Sequence, residues 1–384
     1  MYLANASSIT VRNKGSTSRA AVAGVVSFQL HSASVNVRSS SQLIISTHAL
    51  NGSNISVGVD SADVIDLVAI SGIAGKSTTA TQSSRSYSGI RITTFLESSS
   101  QIFITGATQV TAATIGGHSM YGGSVAMKTS FNCLEKSLCS QYLHVSDNSI
   151  AAIHAGSNGL ALSVGGVAAS AGTAAFKVED SSNISSDLRA TGQSLVSITV
   201  GGSIHGSTVG GAAAYADGST SFRVLSDSSF DVHVAVRGES KARAFVNGGA
   251  SGLSVAGVAG HGGNTEFVCN PCSMVFTALM EDQSVLDIST TVNNDANGAG
   301  VVAVVMHSDL GYCTILLNGS FALNLHANMN SSATVLIPSG GATLAVAGVA
   351  AVSGVNPATI EMNQANINID LQNGSNLTVN PRLE

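Results

Sequence analysis

Phe222-Arg-Val224, Phe230-Asp-Val-His-Val-Ala-Val236, Lys241-Ala-Arg-Ala-Phe-Val246 and Leu253-Ser-Val-Ala-Gly-Val-Ala259 follow one another closely. Only Leu-Ser-Asp-Ser-Ser, Arg-Gly-Glu-Ser and Asn-Gly-Gly-Ala-Ser-Gly separate them. Apolar and polar residues alternate with period two, and Gly, Asn, Ser and Asp fill the gaps, so each run reads as a short strand bounded by turns. No stretch of the chain carries the 3.6-residue period of an amphipathic helix.

The last of these strands holds a glycine that recurs along the whole chain. It stands in AVAGV at Gly24, AISGI at Gly72, TIGG at Gly117, SVGGV at Gly166, TVGGA at Gly211, SVAGV at Gly257, GAGVV at Gly300 and AVAGV at Gly348. The successive gaps are 48, 45, 49, 45, 46, 43 and 48 residues. A serine opening an alternating strand keeps the same step, at Ser8, Ser53, Ser100, Ser149, Ser194, Ser240, Ser284, Ser332 and Ser375. Two landmarks in step define one repeat array of about eight units spanning residues 1–384.

Composition fits such an array. Of 384 residues 44% are hydrophobic, yet only 4% are aromatic and none is tryptophan, so the core must be built from small and β-branched side chains. Val, Ile, Leu and Ala are too plentiful for a disordered chain. A net charge of -6, with the 16 Lys and Arg scattered singly, gives no footprint for nucleic acid or an anionic membrane. The longest charge-free stretch, residues 149–176, is interrupted by Gly, Ser, Asn and His and does not read as a membrane span. Met1-Tyr-Leu-Ala-Asn5 is not a secretory leader, an absence from which no location follows.

Strands also echo at half the period: Phe222, Phe245 and Phe267 stand 23 and 22 residues apart. About 23 residues suits one rung of a parallel β-helix, so each unit is read as two rungs. Sixteen rungs at about 4.8 Å would make a rod of about 75 Å. The competing arrangement is an eight-bladed propeller, since four strands per unit also describe a blade. Nine serine-led strands against eight glycine strands, and the lack of a periodic aromatic motif, favour the open stack.

The Ser/Asn-x-Leu/Ile-x-Val/Ile strands with glycine-rich turns resemble the pectate-lyase-like right-handed parallel β-helix proteins. The likeness is greatest to the repetitive, adhesin-like surface members of that superfamily. It covers nearly the whole chain and implies an all-β solenoid, but it assigns no catalytic residue.

Five cysteines form two close pairs and one single. Cys133 and Cys139 enclose Leu-Glu-Lys-Ser-Leu, and Cys269-Asn-Pro-Cys272 is a tight turn. Neither has the four-ligand spacing of zinc or the following helix of a redox motif. At least one pair is expected as a loop disulfide of an oxidising compartment. Stacking of repeats makes Cys269–Cys313 a rival to Cys269–Cys272, and buried thiols are the remaining alternative. Sequons occur at Asn5, Asn51, Asn54, Asn183, Asn318, Asn330, Asn373 and Asn376. About six would arise by chance in so Ser/Thr-rich a chain, so they are candidates only.

The search for chemistry yields little. Gly260-His261-Gly262 lacks the companion aspartates of a polygalacturonase-type site. Asp60, Asp63 and Asp66 are spaced by three, which alternates faces on a strand. There is no nucleotide loop, nucleophile elbow, cofactor motif or His pair at metal spacing, so no metal site is expected. The variable connection after the glycine strand does gather Tyr87, Tyr121, Tyr215, Tyr312, His118, His261 and His307. Projecting from one edge of a rod, they would present apolar faces with polar tips, the chemistry that holds glycans or surface proteins. The expectation is therefore an extracellular or cell-surface structural or adhesive repeat protein without enzymatic activity, able to homopolymerise through its exposed end rungs. The rival is a polysaccharide lyase or glycoside hydrolase on the same scaffold.

Overall fold

The computed structural model describes residues 1–13, 17–29, 31–59, 64–122, 127–291, 296–337 and 343–381. All regular structure in them is β-strand, arranged as one 18-stranded and two nine-stranded sheets. Every strand pairing among the described residues is parallel, for example Phe222 with Phe267 and Lys241 with Val285. Propeller blades are antiparallel sheets; an all-parallel stack is a β-solenoid.

The pairing offset corrects the two-rung reading. Phe222 pairs with Phe267, Lys241 with Val285 and Ala250 with Ala296, so one whole repeat of about 46 residues makes one coil. A coil beginning after Gly211 runs through the long bent strand Ala212–Arg237, then Lys241–Val246 and Ala250–Val255. The next runs through Val258–Glu281, Val285–Thr290 and Ala296–Val301. Nine strands per column at about 4.8 Å give a stack of about 38 Å, half the expected length. Phe245 shows why the half-period misled: it sits half-buried between buried Ala244 and Val246, facing outward. Phe222 instead stacks inside on Phe176, with ring centroids 4.5 Å apart, within the column Phe131–Phe176–Phe222–Phe267.

The two landmarks are the corners of the coil. At the glycine, consecutive coils come too close for a side chain. A Cβ on Gly72 would lie 2.7 Å from the Gly117 carbonyl oxygen, and one on Gly166 2.5 Å from that of Gly211. The preceding residue takes a left-handed conformation in coil after coil, as at Ser71, Gly116, Gly165 and Ala256. In the seventh coil this corner is Val302-Ala303, not Gly300: Ala303 is what a Cβ on Gly257 would strike.

The serines form a buried ladder. Ser194 Oγ accepts the Ser149 N–H at 3.2 Å and donates to Thr191 O at 2.7 Å, and Ser240 Oγ accepts the Ser194 N–H at 2.9 Å. A two-residue left-handed turn precedes each rung, as at Asp147-Asn148, Gly192-Gln193 and Gly238-Glu239. The side chain thus satisfies backbone groups that the turn removes from the sheet. In the first and eighth coils the ladder serines are Ser7 and Ser331, one residue before the expected Ser8 and Ser332.

Cys269 and Cys272 lie at disulfide distance, Cα atoms 5.3 Å apart, not in a loop turn but within the strand Val258–Glu281 where its register to the next coil shifts. Cys313 pairs with Thr265 in the ladder while Cys269 pairs with Leu317, so the Cys269–Cys313 bridge is not formed. Two offsets separate them: the corner of the seventh coil is Ala303 and not Gly300, and five residues lead from Ser308 to Cys313 where three lead from Gly262 to Thr265. Cys133 and Cys139 are buried thiols flanking the Glu135-Lys136 turn, and burial beside Cys133 pushes the Cys139 thiol up.

Candidate functional site

The chain turns sharply at the glycine corner, and the strand before it leans against the strand after it. Ala212 and Ala214 face the main core, whereas Ala213 and Tyr215 point to the other side. That outer side is covered too: Leu67, Ala69, Ala74 and Ala112 form a separate small apolar cluster against Tyr121, and Ala303, Val305 and Ala345 form another. The corner is therefore a crease with its own packing, lined by one outward column per strand.

Along the strand after the corner that column reads Lys76, Tyr121, Ser170, Tyr215, His261, His307 and Val352. Tyr215 lies 5.2 Å from His261, and His261 lies 5.1 Å from His307, ring centroid to centroid. From the strand before the corner His205 closes on Tyr215 at 4.5 Å. Parallel stacking places equivalent side chains about 4.8 Å apart, which is what brings three rings, each one period apart, into a ladder. Asp217 accepts the Tyr215 hydroxyl at 2.9 Å. The Asp309 carboxylate spans His261 Nε2 at 2.9 Å and His307 Nε2 at 3.2 Å, and Thr343 Oγ1 is 2.7 Å from His307 Nδ1.

Burial governs the electrostatics. It lowers the His205 pKa to about 4, with the neighbouring His261 acting the same way and Asp217 opposing. Burial, then the hydrogen bond to Asp217, pushes the Tyr215 phenol up. Tyr121 is likewise raised by burial and by the Asp66 charge. At that end of the crease buried Asp66 takes ion pairs from both Arg19, at 3.1 Å, and Lys76.

The seven residues expected along one edge are thus divided. Tyr121, Tyr215, His261 and His307 share the crease, in strands and not in loops. His118 is a core residue, its Nδ1 2.8 Å from Gln82 Oε1 and its ring edge-on to Phe131 at 4.9 Å. Tyr87 is exposed in the turn after Ser86, with the Lys136 ammonium 5.5 Å from its ring. Tyr312 is exposed before the strand Cys313–Ala327. His205, Asp217, Asp309 and Thr343 were missed. The 46-residue period carries the signal for the histidines, since Tyr215, His261 and His307 are spaced 46 and 46.

The glycines of Gly260-His261-Gly262 are explained by packing. A Cβ on Gly260 would meet Met306 Sδ at 2.6 Å, and one on Gly262 would meet Ala216 O at 3.0 Å. Asp217 and Asp309 are tied to Tyr or His, and the carboxyl groups raised by burial, Asp231 and Asp287, lie in strands away from the corner. Asp60 and Asp63 lie outside the described residues. Of the sequons, Asn5, Asn51, Asn183, Asn318, Asn330, Asn373 and Asn376 are exposed and Asn54 is half-buried.

No protein-family model, curated protein or solved structure matches the chain. Among the described residues no helix is long and apolar enough to cross a membrane.

Proposed function

We propose that the protein is a structural or adhesive β-solenoid of the extracellular space that holds glycans along the crease at its glycine corner. The observation that carries this reading is the Tyr215–His261–His307 ladder, three rings about 5 Å apart whose polar tips meet Asp217 and Asp309. Half-buried Tyr215 offers a ring and the exposed Asp217 and Asp309 offer acceptors, with the buried histidines beneath them, which suits a ligand that carries both apolar faces and hydroxyls. Cys269 and Cys272 at disulfide distance support an oxidising compartment. The test is binding of the full chain to a glycan panel, with a Tyr121→Ala, Tyr215→Ala variant beside it. Binding that the double variant loses while keeping its strand circular dichroism supports the reading; equal binding by both refutes it, and retention of a protein ligand alone would replace glycans with a protein partner.

End-to-end self-association is a second reading. Ile360, Met362, Ile367 and Ile369 stand exposed on the strand Ala358–Leu371, at positions whose equivalents one coil earlier pair with it. A further coil laid on this edge would extend the ladders. Filaments by electron microscopy support it, and a concentration-independent monomeric scattering profile counts against it.

A further inference from the structure

His261 Nε2, His307 Nε2 and the Asp309 carboxylate converge on one point at the mouth of the crease. Their ligand atoms all lie within 4.8 Å of one another. The two histidines pair directly across adjacent coils, and their rings are inclined at 61°, so the nitrogens meet over the carboxylate and the rings do not stack flat. Both imidazoles are buried, with 5% and 8% of their side chains exposed, while Asp309 is 49% exposed. We propose that these three side chains bind a divalent first-row metal ion, with zinc the best match and one coordination position open to solvent.

The donor set selects the metal class. Two imidazoles and a carboxylate suit zinc, cobalt or nickel, whereas calcium and magnesium want oxygen ligands. Bonds of about 2.1 Å at tetrahedral angles put ligand atoms about 3.4 Å apart. The N···O separations of 2.9 and 3.2 Å are close to that and all three ligand atoms lie within 4.8 Å of one another, so small adjustments of the rings and of the exposed Asp309 admit the ion. Ligation through Nε2 takes the neutral tautomer with its proton on Nδ1, so the proton each ring shares with Asp309 passes to Nδ1, where His307 donates it to Thr343 Oγ1. Thr343 stands as outer partner to His307 Nδ1 at 2.7 Å, the arrangement that orients a ligating imidazole. His261 Nδ1 is buried without a hydrogen-bond partner among the described residues. That ring is anchored from the Asp309 side alone, and its missing outer partner sets the affinity below that of a site with both rings held. Three protein ligands and an open fourth position leave room for water or a ligand oxygen.

The inference does not depend on the crease binding glycans. The untagged full chain, stripped with a chelator, is titrated with Zn²⁺ by calorimetry and with Co²⁺ by visible absorption. One ion per chain is expected, with the ligand-field absorption of four- or five-coordinate cobalt. Asp309→Asn, a near-isosteric change at an exposed side chain, should weaken zinc binding at least ~10-fold. His307→Gln should do the same and abolish the cobalt band. Absence of binding by the parent chain, or binding that both variants retain unchanged, overturns the site. Zinc bound by a chain that holds no glycan leaves the site standing and removes only the functional reading.

Discussion

Gly166→Ala tests the reason for the recurring glycine. Gly166 has no left-handed φ, so space is the sole obstacle to a side chain there. The added Cβ would lie 2.5 Å from Gly211 O and 2.8 Å from both Gly211 N and Thr208 Cγ2. Carbon and oxygen make ordinary contact at roughly 3.3 Å, so the two coils must part by about 0.8 Å. The same Gly211 carbonyl accepts the Val167 N–H at 2.9 Å, and that separation stretches it beyond hydrogen-bond length. A buried N–H left unpaired costs about 1–3 kcal/mol, and overpacking adds about 1–3 kcal/mol. Reduced freedom of the unfolded chain returns about 0.4–1 kcal/mol, leaving a net loss of about 1–5.6 kcal/mol. Gly58→Ala is the control: its nearest neighbour would be Thr105 O at 3.8 Å, so the change should be neutral or slightly stabilising. Urea unfolding followed by circular dichroism compares the two. A Gly166→Ala midpoint matching that of Gly58→Ala would show that close approach is not what the corner requires.

Three further outcomes follow from buried groups. Burial lowers the His118 pKa to about 3 from 6.5, so the folded chain refuses a proton that the unfolded chain accepts. Stability should therefore fall as pH drops below about 6.5 and go on falling toward about 3, by at most about 5 kcal/mol at 1.36 kcal/mol per unit. His118→Gln should flatten that slope in urea midpoints taken between neutral and acid pH; an unchanged slope rules out His118 as its source. Ser240→Ala removes the acceptor of the Ser194 N–H and should cost about 1–3 kcal/mol in the same assay, and an effect below about 0.5 kcal/mol would mean that the ladder is dispensable. Cys269 and Cys272 should appear linked in a non-reducing peptide map, and reduction should lower stability by about 2 kcal/mol for so short a loop. Two free thiols in the map refute the link.

The same regularity that exposed the array in the sequence also explains what was misread. Glycine and serine are legible because a corner and a hydrogen-bond ladder each restrict a position to one or two residue types. The perimeter of the coil is not legible in that way. Phe222 and Phe245 differ by half a period, but only the sheet register shows that one faces the core and the other faces out. The crease reads as a loop in the sequence because Ala212-Ala-Ala-Tyr-Ala216, almost wholly buried in the fold, shows no polar alternation. A strand covered on both faces loses the period-two signal that identifies it.

The sequons show the converse, a motif whose spacing has a structural cause. In Asn51-Gly52-Ser53 the asparagine takes φ 55° in the two-residue turn, and Ser53 donates from the buried ladder to Leu50 O at 2.7 Å. Asn5-Ala6-Ser7 and Asn373-Gly374-Ser375 place the same residue types at the same two positions. Asparagine tolerates the left-handed turn and serine satisfies the ladder, so Asn-x-Ser arises there from backbone demands alone. Sequons at this corner therefore carry no weight as evidence of glycosylation. The histidine ladder has no comparable backbone cause: its equivalents in other coils are as varied as Phe28, Lys76, Tyr121, Ser170 and Val352. A position that the fold leaves free, yet which holds Tyr, His and His in three successive coils, is where a function beyond the scaffold is most reasonably sought.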